Sequence, residues 1–390
     1  MRPTLLTTRP VTTSVLFTVS GAFPLFLAAA QTARLQEDLG FGTRELGLAV
    51  AAYFVVAAAG SLLLGRAVDW MGPTASFRLS GAVAVVSALT IAMLAQSWSA
   101  IALGLGIAGL ANTFAQLGSN LVLADRVPDR RQGLAFGIKQ AAIPMGTLLA
   151  GLAVATIASE ADWRIPFLVY ALVAAMLALV TPTFPHQIHR EHPRARMGQV
   201  VRGPLLALLV AGALGAATGN SLALLLVDSF VVAGFKETVA ASFLALGSAA
   251  SIGARVATGW YVDHNRAGGF PELASLMLIG SAGFALLAVS GDSRLLLLLG
   301  VLLGFAAGWG WPAVIYYVSV RVGRGTPATA TGFVLTGTYS GTVLGPPLFA
   351  SLAEAASYRE AWAVAAVCLA SAAAMVMVAR RLAAGAATER

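Results

Sequence analysis

Apolar residues in this chain come in long runs separated by short polar breaks. A run of about 20 apolar residues is what a helix needs to cross the roughly 30 Å hydrocarbon layer of a membrane. Such runs fall at 11–35, 44–64, 76–97, 100–123, 134–158 and 164–184, and again at 204–230, 238–260, 271–290, 294–317, 328–352 and 360–380. In lipid the backbone must satisfy its own hydrogen bonds, so each run is predicted to be a helix. Many are rich in Gly and Ala, which lets neighbouring helices approach closely. The first run, from Val11, is too long for a signal-peptide core and no convincing cleavage pattern follows it. It is kept as the first crossing. The longest polar break, Pro185 to Gly203, holds Arg190, Arg194, Arg196 and Arg202 and divides six runs from six. The pattern predicts an all-α integral membrane protein with twelve transmembrane helices in two bundles, 1–184 and 204–390, joined by a linker at 185–203.

Composition closes off the soluble alternatives. Hydrophobic residues make up 58% of the 390 positions and charged residues 11%, against about a quarter charged in soluble domains. One cysteine, Cys368, excludes an intrachain disulfide and any Cys-based metal spacing. His186, His189 and His192 share the basic central break, where a solvated loop is the simpler reading than a metal site. No P-loop, nucleophile elbow, HExxH or dinucleotide glycine pattern occurs. No catalytic residue, cofactor or metal is therefore expected, and the chain is read as no enzyme.

Charge then sets the orientation. With both termini inside, 18 basic residues fall on or near the cytoplasmic breaks, from Arg2 and Arg66 through Arg126, Arg130 and Arg131 to Arg380 and Arg381, against 6 on the outer side. This is the bias expected of cytoplasmic loops. It accounts for the net charge of +8 without a nucleic-acid partner. The expectation is a multi-pass protein of the cell (inner or plasma) membrane, with both termini cytoplasmic.

The two halves repeat. A shift of 194 places Gly40-Phe41 on Gly234-Phe235, and Gly65, Val68 and Asp69 on Gly259, Val262 and Asp263. A shift of 195 places Gly137, Gly146, Thr147 and Leu149 on Gly332, Gly341, Thr342 and Leu344. Six crossings per half make the repeats parallel. With these features, Gly65-Arg66-Ala67-Val68-Asp69-Trp70-Met71-Gly72-Pro73-Thr74 resembles the loop G-x-x-x-D-R-x-G-R-[RK] of the major facilitator superfamily (MFS). Gly65, Asp69 and Gly72 match, whereas Trp70, Pro73 and Thr74 replace the basic residues. The second copy keeps Gly259 and Asp263. The resemblance covers the whole chain and implies alternating access, with Gly65, Gly259, Asp69 and Asp263 as gate residues at the cytoplasmic face. Each Asp would hold a helix end or an arginine, with Arg126, Arg130 and Arg131 as candidate arginines. Simple helix capping is the other reading.

Polar residues inside apolar runs nominate the remaining sites, because charge is costly there and usually faces a cavity or a partner. Arg34 and Asp228 are equivalent under the 194 shift. An ion pair between them would help close the outer side, and Asp228 is the candidate proton carrier. The alternative is two side chains reaching separately to the outer headgroups. Lys139 and Gln140 lie in the fifth run, about 9 Å past Gly133 along a helix. Arg255 precedes Gly259 by four residues and resembles the arginine that holds carboxylate in monocarboxylate and oxalate carriers. Lys139 could instead reach to the interface, and Arg255 could serve a structural pair with Asp263. Asn112, Gln116 and Asn120 make a polar stripe at i, i+4 and i+8 of the fourth run, read either as a substrate-facing wall or as interhelical bonding. Asn220, Trp311, Tyr316 and Tyr339 add mixed polar and aromatic surface. Pro24, Pro144 and Pro312 can kink their helices and free backbone groups.

The expected function is gradient-driven transport of a small molecule. The basic Lys139 and Arg255, and the scarcity of acids within the N-terminal runs, favour a small organic anion or a polar neutral solute over a cation. Protons remain an open coupling partner. Proton-coupled efflux of drug-like or sugar-like compounds is the alternative. A lipid scramblase or transporter-like sensor is the alternative of another class. The partners expected are the substrate and the lipid bilayer, with the chain a monomer.

Overall fold

The computed structural model describes residues 5–154, 162–185, 203–265, 268–291 and 293–388. Among them every regular element is helical. The helices are α1 (Leu5–Ala30), α2 (Thr32–Leu39), α3 (Thr43–Leu89), α4 (Trp98–Arg126), α5 (Gln132–Ala153), α6 (Ile165–Leu179), α7 (Pro204–Val232), α8 (Glu237–His264), α9 (Phe270–Val289), α10 (Arg294–Leu303), α11 (Pro312–Val322), α12 (Pro327–Ala355) and α13 (Tyr358–Thr388). They account for twelve crossings. The second and third share α3, the tenth is shared by α10 and α11, and α2 is a short extra turn.

The departures from the sequence pattern have local causes. The first run, expected to 35, stops as a helix at Ala30 because Gln31 leaves helical geometry (φ −111°, ψ 16°). The Thr32 hydroxyl turns back to the Ala29 carbonyl at 2.8 Å, a local bond that competes with helix continuation. Arg34 therefore rides on α2, outside the first crossing. α3 is part of a 51-residue helical stretch, Arg44–Leu94, about twice the length needed to cross once, and it joins two helices across a kink. It bends at Gly72, whose φ of 80° and ψ of 170° suit only glycine. Pro73 follows, with no N–H to continue the ladder. The last residues of the fifth run, and nearly all of the 185–203 linker with its arginines and histidines, lie outside the described residues.

Packing groups the chain into two compact units. One comprises Met1–Pro128, Ala142–Pro193 and Gly325–Gly332; the other comprises Asp129–Ala141, Arg194–Arg324 and Phe333–Arg390. Each unit thus takes in the first residues of a helix that otherwise belongs to the opposite half. In the first unit, serines on one face of α3 bind α4 directly. Ser76, Ser80 and Ser87 each donate at 2.8 Å to the carbonyls of Phe114, Ala111 and Gly104. Such interhelical bonds are worth about 0.6 kcal/mol each in a membrane. The core around them holds Leu27, Ile91, Leu105 and Phe167, all fully buried.

A polar clasp lies at one end of this unit, outside the crossings. Asp38 accepts from Trp163 Nε1 at 2.9 Å and from Arg164 Nη1 at 3.2 Å, and Arg164 lies over the Trp163 ring. The Trp163 bond holds the Asp38 carboxyl below its usual range, desolvation opposes it, and Arg164 adds to the lowering. A depressed carboxylate stabilises the fold above its unfolded pKa and loses that contribution as pH falls through its folded value. Asp38→Asn is therefore expected to lower the melting temperature slightly at pH 7 and not at all once the carboxylate is protonated. Melting curves of the two proteins across acidic pH check this.

Candidate functional site

Two aspartates hold helix starts. Asp69 of α3 accepts from the backbone N–H of Ala328 and Thr329, both at 2.8 Å, and from the Thr329 hydroxyl. Asp263 of α8 accepts from the N–H of Gly133 at 2.7 Å and of Leu134 at 2.8 Å. Helix starts expose unpaired N–H groups and carry partial positive charge, so a carboxylate fits them chemically. The two contacts are copies of each other. Asp69 and Asp263 differ by 194, while Gly133 and Leu134 differ from Ala328 and Thr329 by 195, the same two offsets that the sequence repeat shows. The hydrogen bonds that the two carboxylates accept come from helix starts.

Close backbone approach makes these contacts possible. A Cβ on Gly259 would sit 2.3 Å from the Gly133 carbonyl oxygen, and one on Gly65 would sit 2.8 Å from Thr329 Cα. Both are shorter than real side-chain contacts, so these positions require glycine. One turn further along, Gly137 lies against the Arg255 carbonyl and Gly332 against the Ser61 carbonyl. This pair again obeys the two offsets, since Ser61 and Arg255 are 194 apart.

At Arg255 the repeat is broken chemically. Where the first half has Ser61, the second has a guanidinium that is 1% exposed. Its Nη1 donates to the Gln140 carbonyl at 2.8 Å and its Nη2 to the Trp309 carbonyl at 2.8 Å. It also lies 4.9 Å from the Trp309 ring centroid. Both carbonyls are free for physical reasons. The donor that Gln140 O would meet in an unbroken helix is the N–H of residue 144, and Pro144 has none. Near Trp309 the tenth crossing loses register through a π-helical turn, Gly304–Gly308, before α11 starts at Pro312. Arg255 thus ties α8 to two helix interruptions. Its Nε has no hydrogen-bond partner. Among the described residues no carboxylate lies within ion-pair distance of it.

A second cation belongs to the same neighbourhood. Lys139, fully buried, places its Nζ 5.7 Å from the centroid of the Tyr316 ring, a cation–π geometry. The Tyr316 hydroxyl donates to Thr338 Oγ1 at 3.3 Å. Tyr316 also feels the charge of Arg255. The Gln140 side-chain amide is buried with both polar atoms unpartnered. The structure therefore brings Lys139, Gln140, Arg255 and Tyr316 together.

The other candidates are placed elsewhere or packed. Trp311 is buried against Gly215 of α7, and its Nε1 has no partner. Asn220 donates to the Ala216 carbonyl at 2.8 Å and to Thr342 Oγ1 at 3.1 Å, joining α7 to α12. Tyr339 is buried on α12. In the first unit Asn112, Gln116 and Asn120 are all buried, with Gln116 and Asn112 in hydrogen-bond reach at 3.5 Å. Asn112 meets Gly21 of α1, so that end of the stripe packs against a helix. Asp228 is exposed on α7 and accepts from the Tyr358 hydroxyl. Sequence reasoning did not assign roles to the Trp309 carbonyl or to Thr342; Pro144 was the usable signal for the freed backbone.

These contacts sit in a fold with known relatives. The sequence profile described as Major Facilitator Superfamily matches residues 12–290 and 266–389. The chain belongs to this family: it is a multi-pass membrane transporter of the secondary type, not an enzyme. Solved structures share the fold at low identity. One is the MFS transporter FucP in the outward conformation, with 16% identity, a TM-score of 0.76, and coverage of 96% of this chain and 98% of that one. Another is the human organic anion transporter MFSD10 (TETRAN), with 17% identity, a TM-score of 0.73 and coverage of 96% and 100%. A third is the proton:xylose symporter XylE bound to 6-bromo-6-deoxy-D-glucose, with 14% identity, a TM-score of 0.77 and coverage of 94% of each chain. Comparison with curated sequences finds no match.

Proposed function

We propose that this transporter carries a small organic anion across the cell membrane by alternating access, with Arg255 and Lys139 as the anion-binding cations. The observation that carries the reading is the state of Arg255: buried, anchored by two carbonyls, facing no carboxylate among the described residues, and with Nε still unpartnered. A guanidinium away from water needs a counter-charge. A planar carboxylate suits its remaining donor face. The two carbonyl anchors fix that face before substrate arrives, which lowers the ordering cost of binding. Lys139 adds charge next to the Tyr316 ring. Among structural relatives, MFSD10 is an organic anion transporter, in line with this substrate class.

The unpartnered Gln140 amide and Trp311 indole favour one second reading, a polar neutral solute held by hydrogen bonds. The arginine distribution supports cytoplasmic termini, and on that orientation Asp69 and Asp263 are proposed as gates at the cytoplasmic face. Arg34 and Asp228 are proposed to pair when the outer side closes, with Asp228 as the proton carrier if transport is proton-coupled. The chain is proposed to act as a monomer in two functional halves, 1–184 and 204–390.

The test is uptake of labelled small carboxylates into proteoliposomes. Saturable flux that Arg255→Ala and Lys139→Ala abolish is the expected result. Unchanged flux in both variants would falsify the anion site. Inhibition by uncharged sugars, with no inhibition by carboxylates, would replace it with the neutral-solute reading.

A further inference from the structure

A second polar feature belongs to the first unit. A groove of about 330 Å³ runs between the start of α1 and the end of α6. Its lining is graded along the helices. At one end α1 contributes Arg9, Thr12 and Thr13; about one turn deeper come Leu16 and Phe17, with Leu177 of α6 and Val180 just past its end on the same lining. The floor is firm, because Phe17 stacks on Phe77 with ring centroids 4.6 Å apart. Thr13 is only 6% exposed, yet among the described residues its hydroxyl has no hydrogen-bond partner. Among the described lining residues Arg9 supplies the only formal charge, and it is positive.

A charged, hydroxyl-bearing rim above an apolar slot in a membrane-spanning bundle matches a lipid in both chemistry and direction. α1 begins at the rim and α6 ends there, so the slot points along the helices toward the bilayer interior. We infer that this groove binds an anionic phospholipid, its phosphate on Arg9 and Thr13 and an acyl chain between Leu16 and Leu177. The inference does not rest on the substrate reading. The charge complementarity selects an anionic headgroup over a zwitterionic one, since a zwitterion would bring a second cation next to Arg9. The apolar slot selects a lipid over free phosphate. On the orientation proposed above, the groove opens to the cytoplasmic leaflet.

The experiment uses the full-length protein in a neutral detergent. Melting temperature is measured with added phosphatidylglycerol, with phosphatidylcholine, and with glycerol phosphate at matched concentration. Retained lipid is counted by native mass spectrometry. Phosphatidylglycerol should raise the melting temperature by about 3–5 °C and remain bound; the other two should do neither. Arg9→Ala and Leu177→Trp should each remove the shift and the retained lipid. Thr13→Val, which changes only a hydroxyl to a methyl, should weaken retention several-fold. Equal stabilisation by phosphatidylcholine, an equal effect of glycerol phosphate, or an undiminished shift in Leu177→Trp would each overturn the site. If Arg9→Ala yields no folded protein, Leu177→Trp and Thr13→Val decide the matter alone.

Discussion

Arg255→Lys should cut carboxylate transport by about 100-fold or more while leaving the protein folded. Lysine keeps the charge but cannot reproduce the fork. It cannot meet the Gln140 and Trp309 carbonyls together and still offer a directed donor to substrate. Hydrogen bonds to charged groups contribute about 1.5–3 kcal/mol each, and about 2.7 kcal/mol is a hundredfold in binding. The loss should appear as a higher half-saturation concentration as well as a lower maximal rate, because both the anchor and the substrate contact change. A second variant separates anchoring from binding. Pro144→Ala restores an N–H at the position that would bond the Gln140 carbonyl in a regular helix. The double variant Arg255→Met/Pro144→Ala should therefore melt higher than Arg255→Met alone, since one orphaned carbonyl regains a donor. It should transport no better. Recovery of transport in the double variant would show that Arg255 serves the backbone only.

The legibility of these features in the sequence followed their chemistry. The twelve crossings could be read because lipid admits few structures and the apolar runs are long. The two aspartate contacts could be read as a pair because Gly65, Asp69, Gly259 and Asp263 recur at one offset. Their partners could not, because a backbone N–H at a helix start carries no residue signature: Ala328 and Thr329 on one side and Gly133 and Leu134 on the other share no side-chain type. Arg255 and Lys139 were visible as charges in apolar surroundings. That Tyr316 lies under Lys139 is a matter of helix packing, which no spacing encodes. The break at Gln31, which moves Arg34 off the first crossing, depends on a single side-chain-to-backbone bond within an otherwise continuous run.

Gly259→Leu should abolish transport more completely than Asp263→Asn, although it removes no charge and touches no proposed substrate ligand. In the present state the Cα of Gly259 is so close to α5 that a Cβ would fall 2.3 Å from the Gly133 carbonyl oxygen. Backbone cannot yield there without moving the start of α5, and that movement also draws the Gly133 and Leu134 N–H groups away from Asp263. The variant thus disfavours this whole arrangement by several kcal/mol, of the order needed to shift a two-state equilibrium almost completely. Asp263→Asn keeps one oxygen acceptor and turns an NH2 toward the second backbone N–H, so it loses one of the two bonds together with the charge assistance and should lower flux by about tenfold. If the contact is one that must form and break in each cycle, Gly259→Leu leaves a folded protein held in the opposite state. That state is detectable after Cys368 is replaced and a single cysteine is introduced at Gln132, which is 5% exposed beside the contact: labelling by a soluble maleimide should be fast in Gly259→Leu and slow in the parent. Wild-type flux in Gly259→Leu, or equally slow labelling in both, would mean that the α5–α8 contact is permanent packing and that the gate lies elsewhere.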